Sequence, residues 1–237
     1  MGNRLGHFGE MMGHVDEIDR RPGTERVQER ENVSAMVAVQ ALARFDIYAR
    51  NHDNSARFLL GTEGKKKLFV MGVNPSTADA RHADHTIRKI EGFIRRAGFD
   101  GFVMANIYPA RATNPHLLDL QANQHLIDQN ITQIITQLQQ VESPLIWAAW
   151  GNTIEKRAYL FPCLEHLKNA IRPYHPKWLQ CGSLTRRNHP RHPSRLSYDM
   201  PFQEFEIDRY CESLNKSMLP MPISLMLKNG FYRTRCA

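Results

Sequence analysis

The chain has 237 residues, 42% of them hydrophobic and 23% charged, and a formal net charge of +7. That is enough apolar material to bury a full core in one domain with appendages, or two domains at most, and the charge favours polyanionic partners. No apolar run approaches the roughly 20 residues of a membrane span, MGNRLGHFGEMM has no apolar core of a signal peptide, and Gly6 stands where a myristoylation signal needs Ser or Thr.

Residues 1–30 are polar, rich in Arg, Glu and Gly, and predict a flexible N-terminal segment. Residues 31–200 read as one α/β domain and 201–237 as a C-terminal extension, a covering or terminal helix. Asn32 or Ser34 is the expected cap of a helix running to about Arg50, with Met36, Val39, Leu42 and Phe45 on its apolar stripe. Ala56 to Leu60 reads as a strand, and Gly61 to Lys67 as a hairpin-like loop. Leu68 to Met71 is a short apolar run bounded by Gly72, as in a strand buried on both faces. It leads into Asn74, Pro75, Ser76 and Thr77, a polar loop that by composition is equally a plain turn.

Ile87, Ile90, Phe93 and Ile94 give one face to a helix from Thr86 to Ala97, with Gly98 as its C′ residue. Phe102 to Tyr108 is the next strand, ending at Pro109, and a loop covers 110–118. A long helix runs from about Asp119 to Gln140. Leu145 to Trp150 is a third buried strand, closed by Gly151. Asn152 or Thr153 caps a helix reaching Leu167, and Trp178 to Gly182 is a fourth strand. The alternation predicts an α/β fold, a three-layer α/β/α sandwich with a mainly parallel central sheet. Parallel strands share their carboxyl ends, and open α/β sheets bind ligands there.

The loop after the fourth strand is the most basic stretch of the chain, with Arg186, Arg187, Arg191 and Arg195 beside His189 and His192. A solvated charge run is the ordinary reading of such a loop. At that edge Asn106 ends the second strand, where its amide is met either by backbone or by a ligand. Cys163, Cys181, Cys211 and Cys236 form no C-x-x-C pair, so neither a metal site nor a cofactor is expected, and the thiols read as reduced in a cytoplasmic protein.

GVNPSTAD at 72–79, DHTIRK at 84–89, ANIYPARATNP at 105–115, AAWG at 148–151 and LTRRNHPRHP at 184–193 resemble the domain-of-unknown-function 1643 family. A more distant likeness joins GVNPS to the GINPG motif of the uracil-DNA glycosylase superfamily. HPSRLS at 192–197 is similar to that superfamily's HPSPLS, and WGNTIEKR at 150–157 to its WGNHAQKK block. The likeness implies a uracil-DNA glycosylase-like fold that cleaves the N-glycosidic bond of a flipped, 5-modified or plain pyrimidine in DNA. It implies that Asn74 positions water, Asn106 reads the base, His192 stabilises the departing base and Leu196 is the wedge replacing it. Ser76, with Gly72 and Pro75, falls at the base pocket, where other members carry a bulky Tyr. The block that holds their catalytic Asp is absent, and Asp79 or Asp84 is the candidate to replace it. Arg111, Arg186, Arg187, Arg191 and Arg195 are the expected nucleic-acid contacts. The expected partner is nucleic acid, DNA first, or a nucleotide, and no membrane. A non-catalytic module binding nucleotide or nucleic acid through the same pocket remains the alternative.

Overall fold

The computed structural model describes residues 44–218. The segment 1–30, the start of the helix expected from Asn32 and residues 219–237 lie outside them. Seven strands form one sheet: β1 (Ile47–Arg50), β2 (Arg57–Thr62), β3 (Lys67–Gly72), β4 (Gly101–Asn106), β5 (Leu145–Ala148), β6 (Lys177–Cys181) and β7 (Phe202–Glu204). Their order is β1-β2-β4-β3-β5-β6-β7. The helices are α1 (His85–Arg96), α2 (Gln124–Leu138), α3 (Leu160–Ile171) and α4 (Ile207–Met218).

The fold is α/β, but the sheet is mixed rather than mainly parallel. Only β4, β3, β5 and β6 run parallel. β1 and β2 add antiparallel strands on one side and β7 does so on the other. Between β1 and β2 the chain has too few residues for a crossover, so those strands can only meet antiparallel. Two local expectations change with this. Ile47–Arg50 is a strand paired with β2, not the end of a helix. Likewise β2 and β3 form no hairpin, because β4 lies between them. Their link passes the start of β4, where the Asp100 carboxylate accepts the Lys65 and Lys66 amides at 3.1 and 2.6 Å.

Alternate strand residues supply two separate cores. Phe69, Met71, Val103 and Ala105 pack with residues of α2, α3 and α4, among them Ile131, Leu164 and Tyr210. Leu68, Val70, Phe102 and Met104 pack with Ile87, Ile90 and Phe93 of α1. Each large apolar side chain buried in this way contributes about 1.5–3 kcal/mol. The sheet and its core continue past residue 200, through β7 and α4.

Capping sets where the helices begin. Asp84 Oδ1 accepts the Ile87 amide at 2.9 Å and starts α1. Asn123 caps α2 through the Leu126 amide, so residues 119–122 stay outside the helix. The expected helix from Asn152 divides into a 3-10 turn, Gly151–Lys156, and α3. Pro162 stands in the first turn of α3, where no intrahelical amide bond is lost. The four parallel strands end together at Asn106, Gly72, Ala148 and Cys181. The loops that follow them make one edge of the molecule.

Candidate functional site

Gly72 and Asn106 are register partners at the last rung of β3 and β4. The loops beyond are knitted by backbone bonds, Ile107 N to Gly72 O and Tyr108 N to Val73 O, both 2.9 Å. A Cβ at Gly72 would lie 2.7 Å from Met104 Cε and 2.8 Å from Asn106 Oδ1, so glycine makes the room for that amide. The Asn106 side chain is 0% exposed. Its carbonyl is held by Asn130 Nδ2 at 2.8 Å, yet neither Oδ1 nor Nδ2 of Asn106 has a partner among the described residues. An amide left this way costs about 1–3 kcal/mol per unmet group, a cost that native structures keep at sites with another purpose. Nor does solvent reach those atoms. Access to them requires a neighbour to move aside, and Met104, unbranched and flexible, stands beside them in the same cleft.

Asn74 is oriented by its own loop. Its Nδ2 donates to the Pro75 and Ala112 carbonyls at 3.1 and 2.7 Å, which leaves its oxygen as the free end. Asp84 commits one carboxylate oxygen to the α1 cap.

His192 begins a 3-10 turn, Pro193–Arg195, and its Nδ1 accepts the Ser194 backbone amide at 3.3 Å. A backbone amide only donates, so the proton of the neutral ring sits on Nε2. Burial pushes the His192 imidazole down to about 4 against the upward pull of Asp84, and Arg195 and His85 add to the fall. The ring is therefore a neutral N–H donor at physiological pH. Gly151, with φ of 60°, brings the turn after β5 against this residue, since a Cβ there would come within 3.1 Å of His192 Cβ.

Gly72, Asn74, Ser76, Asp84, Asn106, Arg191, His192 and Arg195 line one cleft of about 510 Å³ at this edge. The other candidate residues do not line it. Asp79 turns back on its own loop, accepting the Arg81 and His82 amides at 2.8 Å. Pro75 is buried behind the loop. Arg111, expected as a nucleic-acid contact, is engaged within the protein: it donates to Ser76 O, Ala78 O and Tyr48 Oη at 2.8, 3.0 and 2.9 Å. Leu196 is 5% exposed within the α1 core, so no wedge stands at that position. Arg187 pairs with Glu155 outside the cleft, and Arg186 is exposed.

Sequence reasoning missed Arg57. It lines the cleft at 2% exposure, donates to Ala78 O at 2.8 Å and leaves its buried Nε without a partner. Burial, then the charge of Arg111, pushes its guanidinium down to about 10, still cationic at neutral pH. Its one signal was an arginine at the start of an apolar strand. Also missed was a buried chain of bonds beside the cleft. Trp150 Nε1 donates to Tyr210 Oη at 3.0 Å, Tyr210 Oη lies 2.8 Å from His189 Nδ1, and His189 Nε2 lies 2.8 Å from Glu155 Oε1. It ties α4 to both loops.

A second cavity of about 500 Å³, lined by Arg50, His52, His125 and Asp128 among others, shares no residue with this cleft. It holds no buried unpartnered side-chain atom among the described residues. Among those residues, too, no His, Cys, Asp and Glu side chains gather as metal ligands, and no helix is long and apolar enough to cross a membrane. Cys163, Cys181 and Cys211 are buried free thiols, and burial pushes Cys181 up to about 11.

No curated protein matches the chain, and no solved structure does. Residues 57–194 match the family described as Protein of unknown function (DUF1643). That span runs from β2 to the loop after β6 and holds every residue of the cleft lining except Arg195. With more than half of its length matched, the chain belongs to this DUF1643 family.

Proposed function

We propose that the cleft receives a pyrimidine base turned out of DNA, and that the chain hydrolyses its N-glycosidic bond in an α/β/α frame of the uracil-DNA glycosylase type. The observation that carries this reading is the buried, unpartnered amide of Asn106 at the strand ends. One carboxamide offers a donor and an acceptor together, the pattern that pairs with a pyrimidine edge.

The neighbouring groups suit the rest of the reaction. Water oxygen bonds to the sugar C1′ as the bond from C1′ to the base nitrogen breaks, and the base departs with its electron pair. The negative charge spreads to a ring carbonyl, where the neutral His192 Nε2–H donates to it. Asp84 takes the proton of the attacking water through the carboxylate oxygen that does not cap α1. Asn74, whose free end is a carbonyl oxygen, orients that water.

The test is base release from duplexes carrying uracil, thymine opposite guanine, or 5-modified pyrimidines, scored as abasic sites cut by alkali. Wild type should release a base, and Asn106→Ala and His192→Ala should not. Ser76→Tyr, at a cleft-lining position, should exclude thymine by shape and keep uracil. No release from any substrate would remove the hydrolytic reading. One observation favours binding without hydrolysis: Asp84 already serves as a helix cap. In that case the same duplexes bind tightly and remain intact.

A further inference from the structure

The ionisable side chains lining the cleft are Arg57, Asp84, Arg191, His192 and Arg195. With His192 neutral, three guanidinium groups face one carboxylate, an excess of two positive charges. Their placement follows the sheet. Arg57 opens β2, and Arg191 and Arg195 follow β6. In the strand order those ends lie four steps apart, roughly 19 Å at about 4.8 Å per strand, with Asn106 at the end of β4 and Asn74 in the loop after β3 between them.

Arg57 is reinforced from behind. Its terminal nitrogen and that of Arg111 converge on a single acceptor, Ala78 O. Both keep a buried Nε with no partner. Neither makes an ion pair among the described residues, and the carboxylate that acts on Arg57 is that of Asp84, without a direct bond. The buried Arg57 and the part-buried Arg111 behind it, neither ion-paired among the described residues, hold a positive field at that end of the cleft. At the other rim the exposed Arg195 has no side-chain partner among the described residues. A guanidinium stays charged at any working pH and its fork matches phosphate oxygens.

We propose that the cleft takes its ligand as a phosphate-bearing nucleotide, the phosphoryl oxygens meeting Arg195 at the β6 rim within the field of Arg57 and Arg111. This rests on the base-binding reading above and adds the second half of the ligand. A phosphate monoester carries nearly two negative charges at neutral pH, which the cleft's excess matches. A cavity of about 510 Å³ lies in the range that accommodates a molecule of nucleotide size.

Binding of 2′-deoxyuridine, its 5′-monophosphate, adenosine 5′-monophosphate and a single-stranded oligonucleotide with one deoxyuridine, each at two salt concentrations, tests it. The phosphorylated pyrimidine probes should bind at least ten-fold more tightly than the nucleoside, and Arg195→Gln should erase most of that gain. Arg57→Met, at the far end of the cleft, should lower the gain by a smaller factor. If that variant fails to fold, Arg195→Gln, at an exposed side chain, still decides. A monophosphate that binds better than the oligonucleotide assigns a free nucleotide. The reverse order, with a steep salt dependence, assigns a strand. Equal binding of nucleoside and monophosphate overturns the proposal. Adenosine monophosphate binding as well as the deoxyuridine monophosphate would remove the pyrimidine reading and leave the phosphate subsite standing.

Discussion

His189 and Asn106 are both buried polar residues at the same edge of the sheet, at 1% and 0% exposure, and the fold treats them oppositely. His189 is fully engaged. The Trp150 indole only donates, so Tyr210 Oη accepts from it and gives its own proton to His189 Nδ1. His189 Nε2–H then donates to Glu155, which also holds Arg187. Every polar group in that chain has a use inside the protein. The Asn106 amide has no partner among the described residues. Neither burial nor a missing partner is enough by itself, since Asn130, Gln137, Trp147 and Tyr159 also hold buried unmet atoms away from the cleft. Asn106 is set apart because its unmet amide belongs to a residue of the cleft lining.

That contrast can be broken by paired substitutions. Asn106→Ala should reduce ligand binding by about 10²-fold or more, as when buried polar complementarity is removed. Its melting should move little, within about 1 kcal/mol, because the change deletes unmet groups along with the contacts of a small side chain. Tyr210→Phe should do the reverse. It strips partners from Trp150 and His189 at once and should cost about 2–3 kcal/mol in chemical denaturation. Ligand affinity per folded molecule should stay near wild type. If Asn106→Ala unfolds the protein as severely as Tyr210→Phe, the amide is structural and the contrast fails.

The same contrast explains what the sequence made legible. β3, β4 and β5 announce themselves as short apolar runs, and the stripe of Ile87, Ile90, Phe93 and Ile94 announces α1, because both are local patterns; that Asp84 caps this helix shows only in the structure. Candidate residues at the ends of those strands, Asn74 and Asn106, follow from topology alone. Partner choice is not local. Ile47–Arg50 has the apolar content of either element, and only β2, which sits ten residues on, makes it a strand. Nor do arginines carry a label. Arg57 and Arg111 look like ordinary strand and loop cations, yet both fold back on Ala78 O, while Arg195 stays exposed. Leu196 lies in a polar stretch and is buried, because Lys89 Nζ takes its carbonyl at 2.7 Å and the chain turns inward against α1.

His192 gives the contrast a pH dependence. Its folded value near 4 lies below the ordinary 6.5, so the unfolded chain takes up the proton first as pH falls. The stability is whole above about 6.5 and is lost progressively as pH drops toward 4. The loss is roughly 1–3 kcal/mol for one largely buried ring. His192→Gln should flatten the slope of denaturation free energy in that window. His189→Gln should lower stability, since its bonds to Tyr210 and Glu155 are lost. Equal slopes in wild type and His192→Gln would show that this ring does not titrate as placed.

The smallest effect separates two adjacent arginines. Arg187 is committed to Glu155, which also accepts from His189, whereas Arg186 is exposed with no side-chain partner among the described residues. If the basic loop meets nucleic acid, Arg186→Gln should change stability by less than about 0.5 kcal/mol. It should also reduce the slope of log affinity against log salt by about one, the signature of one phosphate contact. Arg187→Gln should instead disturb the Glu155–His189 chain and register in melting before it registers in the salt slope. The two variants are measured side by side, by oligonucleotide binding at several salt concentrations and by denaturation. An unchanged slope for Arg186→Gln would take this loop out of the interface and confine binding to the cleft. A slope change for Arg187→Gln without loss of stability would mean that its bond to Glu155 gives way on binding, and the two arginines would then belong to one surface.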